Sequence, residues 1–277
     1  MHVSFKHVLM RNLKAGEFFG TTNETVELTG LTLTDTEYTH QKVDWHWHEK
    51  PYFTFIIQGK VIEINQKETY HCTPGTLLFH NWQDAHYNIK PPGFTRGFHV
   101  ELNNEWFNSF EIKTNGFQGS LSLSDPRMKT LFYQIWKEAK TGGPATQLAV
   151  DALLLELFGL LSGLKPTLSK AKPVWVGRVK EILHTDDQQW KLQDLAKELN
   201  IHPVHLSRDF SKHFNCKLGG YIRLVSLQRA LALLPNRDIS LTRIATQCKF
   251  ADQSHFIRAF KTQFKVTPSQ YRNLFSR

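Results

Sequence analysis

The chain has 277 residues, 40% of them hydrophobic and 12% aromatic, enough apolar material for two cores. No run approaches the roughly 20 apolar residues of a membrane helix, and the first residues lack an apolar core followed by a small-residue cleavage site. A membrane partner is therefore not expected, and a cytoplasmic location is. Cys72, Cys216 and Cys248 are scattered, odd in number and without CxxC spacing, which argues against a disulfide framework or a structural zinc site.

The net charge of +9 is unevenly placed. Residues 165–277 hold 20 Lys and Arg against 8 Asp and Glu, whereas residues 1–164 hold 14 against 17. A basic C-terminal part favours a polyanionic partner, because neutralising phosphates releases counterions.

From Val26 to Val100 the chain reads as short β segments (VELTGLTLTD, YFTFIIQGKVIEI, TLLFHN, FTRGFHVEL) separated by Gly, Pro and Asn, a pattern that predicts a small barrel or sandwich. Near Asp125 the period becomes helical. Two helices are expected, starting at Asp125 or Pro126 and at Pro144. Their apolar faces, Leu131–Trp136 and Leu148–Leu161, exceed what one barrel needs; a homodimer interface is the natural use, and packing on the barrel or on the second domain would also cover them. The Ser-, Pro- and Lys-rich stretch after Leu161 reads as a linker. The boundaries are thus 1–165, a linker at 166–173, and 174–277.

The last part contains an internal repeat. Leu192, Leu195, Ala196 and Leu199 recur 49 positions on as Leu241, Ile244, Ala245 and Cys248. After one inserted residue, His205, Leu206, Arg208, Phe210 and Phe214 recur 50 positions on as His255, Phe256, Arg258, Phe260 and Phe264. Each copy predicts a short helix, a tight turn and a second helix with one apolar face, the layout of a helix-turn-helix whose second helix enters the major groove of double-stranded DNA. Pro203 fits the first turn of one such helix and Asp252 the N-cap of the other. The base-contact candidates are Val204, Ser207, Arg208 and Ser211 in the first copy and Gln253, Ser254, His255 and Arg258 in the second, with Lys261 as a phosphate contact. For Arg208 and Arg258 bonding to neighbouring carboxylates or phosphates stays open, and His205 and His255 also fit packing near the turn. Between the copies, Leu218 to Leu234 reads as one connecting helix stopped by Pro235, long enough to set the two recognition helices in successive major grooves, roughly 34 Å apart. Thr267 and Pro268 form a helix start that suits a phosphate; ordinary capping explains it equally well.

Residues from about Val174 to Arg277 closely resemble the AraC/XylS family of transcription regulators, most specifically in FADQSHFIRAFK (250–261) followed by TPSQYR (267–272). The resemblance implies that Val204, Ser207, Arg208, Gln253, Ser254 and Arg258 lie in recognition helices. Lys249 and Lys265 depart from it, standing where the family usually has Gly, and imply either a less comfortable backbone or an added phosphate contact.

His46-Trp-His48-Glu49, Tyr52 to Gly59, and Pro74-Gly75 through His80 to His86 resemble the two motifs of a cupin barrel, which in such regulators binds a small-molecule effector. The fold expected is two-domain α+β: a cupin-like β-barrel with two accessory helices, then an all-α domain of two helix-turn-helix units joined by a long helix. His46, His48 and His86 sit where metal-binding cupins place histidine ligands. The acidic ligand of those proteins would fall near Tyr52 or Phe53, however, and Glu49 directly after His48 points to the other strand face, so no metal and no cofactor is assigned. The favoured reading is a polar organic-ligand pocket lined by His46, His48, His80, Trp82 and His86; histidines hydrogen-bonded within the barrel are the plainer alternative. The functional expectation is a ligand-responsive, sequence-specific DNA-binding regulator, not an enzyme, with RNA polymerase as a further candidate partner. The alternative is a metal-dependent cupin enzyme tethered to DNA.

Overall fold

The computed structural model describes residues 11–81, 84–113, 119–162, 173–185, 188, 190–214 and 216–273. The chain divides into two compact units, Met1–Leu160 and Leu161–Arg277. Among the described residues no helix is long and apolar enough to cross a membrane.

The first unit is a cupin-like barrel of two sheets. One holds β1 (Arg11–Leu13), β4 (Lys42–His48), β9 (His86–Ile89), β6 (Val61–Asn65) and β7 (Thr69–Cys72), in that spatial order. The other runs β11 (Ser120–Ser122), β8 (Leu77–His80), β5 (Tyr52–Gln58), β10 (Arg96–Leu102), β3 (Leu31–Glu37), β2 (Thr21–Leu28). From β4 to β10 the chain crosses repeatedly between the sheets, the habit of a jelly roll. The turn from β5 to β6 needs Gly59: at φ +75° a side chain is strained, and a Cβ would meet the Phe94 carbonyl oxygen at 2.0 Å.

Burial follows from what covers each strand face. Strand β6 alternates because only its inner face is covered, whereas β5 is buried along six successive residues. Its outer face packs under α2 (Pro126–Thr141) and α3 (Thr146–Ser162): Phe132 lies 5.3 Å from Phe53 and 5.5 Å from Phe55, and Phe158 lies 5.7 Å from Phe53 and 5.8 Å from Phe79. Leu131, Phe132, Ile135 and Trp136 are thus spent within the unit, the packing on the barrel that the sequence left open beside a dimer interface. Asp125 caps α2 as predicted, accepting from the Arg127 amide. A short helix, α1 (Asn104–Ser109), is capped by Asn103. Buried Asp35 binds α2 to the sheet, accepting two bonds from Arg96 (2.6 and 2.7 Å) and one from Lys140 (2.6 Å), which also reaches Glu24.

Among the described residues the second unit has helices and no strand, as expected. Helix α4 (Val174–Thr185) precedes the two repeat copies, α5 (Leu192–Glu198) with α6 (Pro203–Phe214), and α8 (Leu241–Gln247) with α9 (Gln253–Phe264). They are joined by α7 (Leu218–Leu233) and followed by α10 (Pro268–Asn273). The 16 residues of α7 span about 24 Å at 1.5 Å per residue. Leu206, Phe210 and Phe214 fill a core with Leu195, Ala196, Val179 and Tyr221, and Phe256, Phe260 and Phe264 are equally buried in the second copy. Arg272 ties α10 to the α7–α8 connection by donating to the Leu234 and Ile239 carbonyls.

Candidate functional site

The two turns of the repeat have the same backbone. In the first, the Asn200 amide donates to Lys197 O and the Ile201 amide to Ala196 O; in the second, Lys249 donates to Thr246 O and Phe250 to Ala245 O. This paired bonding is a Schellman closure, which requires a left-handed residue just past the helix. Asn200 and Lys249 supply it at φ 52° and 63°. The departure from Gly seen in the sequence therefore falls on a position of real backbone strain, and Lys265, at φ 61°, ends α9 in the same conformation.

Past each turn the second helix turns its polar residues to solvent. Val204 (64% exposed), Ser207, Arg208 and Ser211 are exposed on α6, and Ser254, Arg258 and Lys261 on α9. Arg208 reaches Asp209 Oδ1 at 3.1 Å and His205 Nδ1 at 3.2 Å, and Asp209 also accepts from Lys212 at 2.9 Å. The two cations hold the Asp209 carboxyl well below the usual range, Arg208 contributing most. Gln253 is half-buried and accepts from Thr242. His255 is half-buried with its ring 5.5 Å from Phe250, the packing role that the sequence had kept open. The Asp252 N-cap accepts from the His255 amide, as predicted. Thr267 and Gln270 bond reciprocally through side chain and amide, a capping box, so helix capping accounts for this pair.

The barrel encloses the other predicted cluster. His46 and His48 on β4, His80 on β8 and His86 on β9 are all at most 3% exposed and point inward. Ring centroids of His46 and His86 are 4.2 Å apart, those of His80 and His86 5.3 Å. Trp82 lies outside the described residues. Nδ1 of His46 donates to Asp44 O (2.8 Å) and Nδ1 of His86 to Asp84 O (3.0 Å). A carbonyl can only accept, so these bonds fix both tautomers and leave each Nε2 with a lone pair facing inward. Burial pushes His46 down to about 3, aided by the nearby His86, and His86 down to about 4. His48 and His80 are likewise lowered by burial, so the cluster is neutral near pH 7.

Several cavity residues were not among the ligand-pocket candidates named from the sequence. Tyr52 donates toward His86 Nε2 at 3.3 Å and stacks on His80 at 4.3 Å. His99 on β10 touches Tyr38 and Thr54 through its two ring nitrogens. Glu63 on β6 is buried, and its Oε1 stands 3.6 Å from His80 Nε2, too long for a hydrogen bond. Burial raises the Glu63 carboxyl to about 8 and lowers His80, so the neutral forms of both are favoured despite their proximity. The arm after β1 covers the mouth. Phe18 stacks on His99 at 3.6 Å, Phe19 meets His46 edge-on at 5.0 Å, and Arg11 lies over Phe19. The amide of Gly16 donates to Glu101. With the arm in place the free volume among these side chains is about 30 Å³.

Residues 28–158 match the family model of the AraC-like ligand binding domain, and residues 195–274 that of a helix-turn-helix domain. The chain is 34% identical over 122 residues to the Msm operon regulatory protein of Streptococcus mutans, covering 44% of this chain and 43% of that one. It is 34% identical over 82 residues to the probable transcription factor PqrA of Proteus vulgaris (30% of this chain, 67% of that one), and 24% identical over 229 residues to the arabinose operon regulatory protein of Escherichia coli (78% of each). Of several curated relatives that it matches, the chain spans about half the length or less. With a ligand-binding domain ahead of a helix-turn-helix domain, the chain belongs to the AraC family of transcription regulators.

Proposed function

We propose that this protein is a sequence-specific DNA-binding regulator whose barrel takes a small effector. The observation that carries the reading is the duplicated α5–α6 and α8–α9 unit, with matching turns and an exposed arginine, Arg208 or Arg258, at the equivalent place in each copy. The excess of basic residues in this half supplies the sequence-independent attraction to phosphate. Val204, Ser207, Arg208 and Ser211 read one major-groove segment, Ser254 and Arg258 with Gln253 the next, and Lys261 contacts phosphate. His255 and Thr267 are left out of the reading set, because packing and capping occupy them. A cytoplasmic location follows from this role.

The homodimer expected from the sequence is supported by the outer face of α3. Leu148, Ala152, Leu155 and Gly159 are exposed at spacings of four, three and four, and Leu148 is 73% exposed. That spacing is the seam of a helix pair, and α3 of a second copy is its occupant. The enzyme alternative gains nothing from the relatives, which are named as regulators and transcription factors.

The test is selection of bound sequences from random DNA by the full chain at stated salt. Two enriched blocks about one helical turn apart support reading by both copies. One block assigns the other copy to phosphate anchoring, and enrichment of no sequence under any effector condition refutes the proposal.

A further inference from the structure

We propose that the barrel's ligand is a first-row divalent transition-metal ion, bound by Nε2 of His46, Nε2 of His86 and the ring of His48. The inference deepens the effector reading above and rests on it only for the ion's regulatory meaning. The ligand atoms of these three histidines all lie within 4.8 Å of one another, and all three side chains are buried. A tetrahedral ion with Zn–N bonds of 2.0–2.1 Å needs donor separations of about 3.3 Å, so shifts of about 1 Å in the side chains close the set.

Three further observations point to an ion. The carbonyls of Asp44 and Asp84 hold His46 and His86 through Nδ1, the outer support that orients imidazole ligands and fixes the tautomer a metal needs. Nδ1 of His48 is buried, 3% of the residue being exposed, and has no hydrogen-bond partner among the described residues. The free volume of about 30 Å³ holds an ion with a water, whereas pockets for organic ligands run about 300–1,000 Å³.

The sequence argued against a metal because Tyr52 stands where an acidic ligand would be. Strand pairing brings a different carboxylate to the same cavity: Glu63, which burial keeps protonated, lines it from β6 with Oε1 unpartnered among the described residues, and releasing its proton to solvent as the ion binds would offset the ion's charge. The Tyr52 hydroxyl, 3.3 Å from His86 Nε2, occupies that nitrogen's lone pair and must turn away from it when an ion binds. An all-imidazole set suits zinc, nickel, cobalt, copper or iron and disfavours magnesium and calcium.

The test uses the full chain stripped with chelator and titrated with cobalt(II) or zinc(II). Uptake is read from cobalt visible absorption and from competition with a chromophoric chelator. One ion per chain, with affinity falling by about 100-fold or more in His46→Asn and His86→Asn and unchanged in the exposed-site control His71→Asn, is the expected result. No uptake, or uptake equal in all variants, overturns the proposal. Should the variants fail to fold, the wild-type chain still decides. Metal-dependent protection of amides in residues 42–48 and 86–89 from hydrogen exchange supports the site, and protection elsewhere only, or none, overturns it. Random-DNA selection with stripped and loaded protein tests the regulator reading separately. An enriched sequence without metal uptake sinks only the ion, and uptake without an enriched sequence sinks only the DNA reading.

Discussion

Replacing Lys249 with Gly is expected to stabilise the helical unit. Lys249 is held at φ 63° by the Schellman closure that ends α8, where a Cβ crowds the following carbonyl and costs about 1–2 kcal/mol. Glycine removes that cost but gives the unfolded chain about 0.5–1 kcal/mol more entropy to lose, so the net gain is about 0.5–1 kcal/mol. For a unit of this size that is a rise of about 2–5 °C in midpoint. Lys249→Ala keeps the Cβ and gains nothing; Asn200→Gly gains less, because Asn tolerates the left-handed region. The assay is urea unfolding of the full chain with hydrogen exchange read over residues 241–264, so that the transition belongs to the second copy. Equal shifts for Lys249→Gly and Lys249→Ala, or a loss with Gly, would refute the strain argument. A phosphate role for the lysine is separable: both variants would then lower the salt slope of DNA binding by about one, whatever their stability.

Other consequences follow from the same geometry. Asp35→Asn leaves the buried Arg96 guanidinium and Lys140 short of their counter-charge, and chemical denaturation should show a loss of about 3–5 kcal/mol in the barrel; a loss below 1 kcal/mol would mean that solvent or Glu24 already satisfies them. Arg258→Ala should relax specificity at one base position in the selected sequence, whereas Lys261→Ala should weaken binding about equally on all sequences; a uniform loss for Arg258→Ala would remove it from base reading. Leu148→Glu on the exposed seam of α3 should shift a dimer to monomer in sedimentation without lowering the melting temperature of the barrel, and a wild-type chain that sediments as a monomer at tens of micromolar concentration contradicts the seam. His99 is held neutral down to about pH 3 by burial, whereas the unfolded chain protonates it near pH 6.5. The unfolded state then binds the extra proton, so stability should fall by about 1.4 kcal/mol per pH unit as pH drops below 6.5; His99→Gln should make the measured slope shallower by one proton.

The helical unit was largely legible in the sequence, because most of what builds its two repeat copies is local. Hydrogen bonds run over three to five residues, the apolar face repeats within a turn, and caps such as Asp252 act on the amide three positions on. Two copies of one pattern then read as two copies of one structure. Two side-chain uses that the sequence left open are taken up locally, Arg208 by the neighbouring carboxylate of Asp209 and Thr267 by helix capping with Gln270, and the sharing of Asp209 with Lys212 was not marked. In the barrel the existence of strands and of α2 and α3 was clear, but β1 and the first half of β2 were not, since Arg11–Leu13 and Thr21–Thr25 are polar edge segments with no apolar alternation.

The barrel cavity was only half legible, and β4 shows why. Simple alternation from inward-facing Val43 would turn Trp45 and Trp47 into the barrel and the histidines out. A bulge between Val43 and His46 inserts one residue against β9, pairing Val43 with Asn88 but His46 with His86. That single extra residue reverses the phase, so that His46 and His48 point inward and Asp44 O comes within 2.8 Å of the His46 ring nitrogen that it fixes. A histidine motif alone marks the strand; it does not say which face wins. Glu63, Tyr52 and His99 join the cluster only through register between strands far apart in sequence, and Phe18 and Phe19 only through the arm that follows β1. The same bulge that brings His46 against His86 therefore also decides the chemistry of the cavity: deleting Trp45 removes the extra residue, leaves His46 opposite His86 in plain alternation and should keep metal uptake, whereas inserting one residue between Val43 and His46 should turn His46 and His48 outward, bring Trp47 in and abolish uptake while leaving the strand order intact.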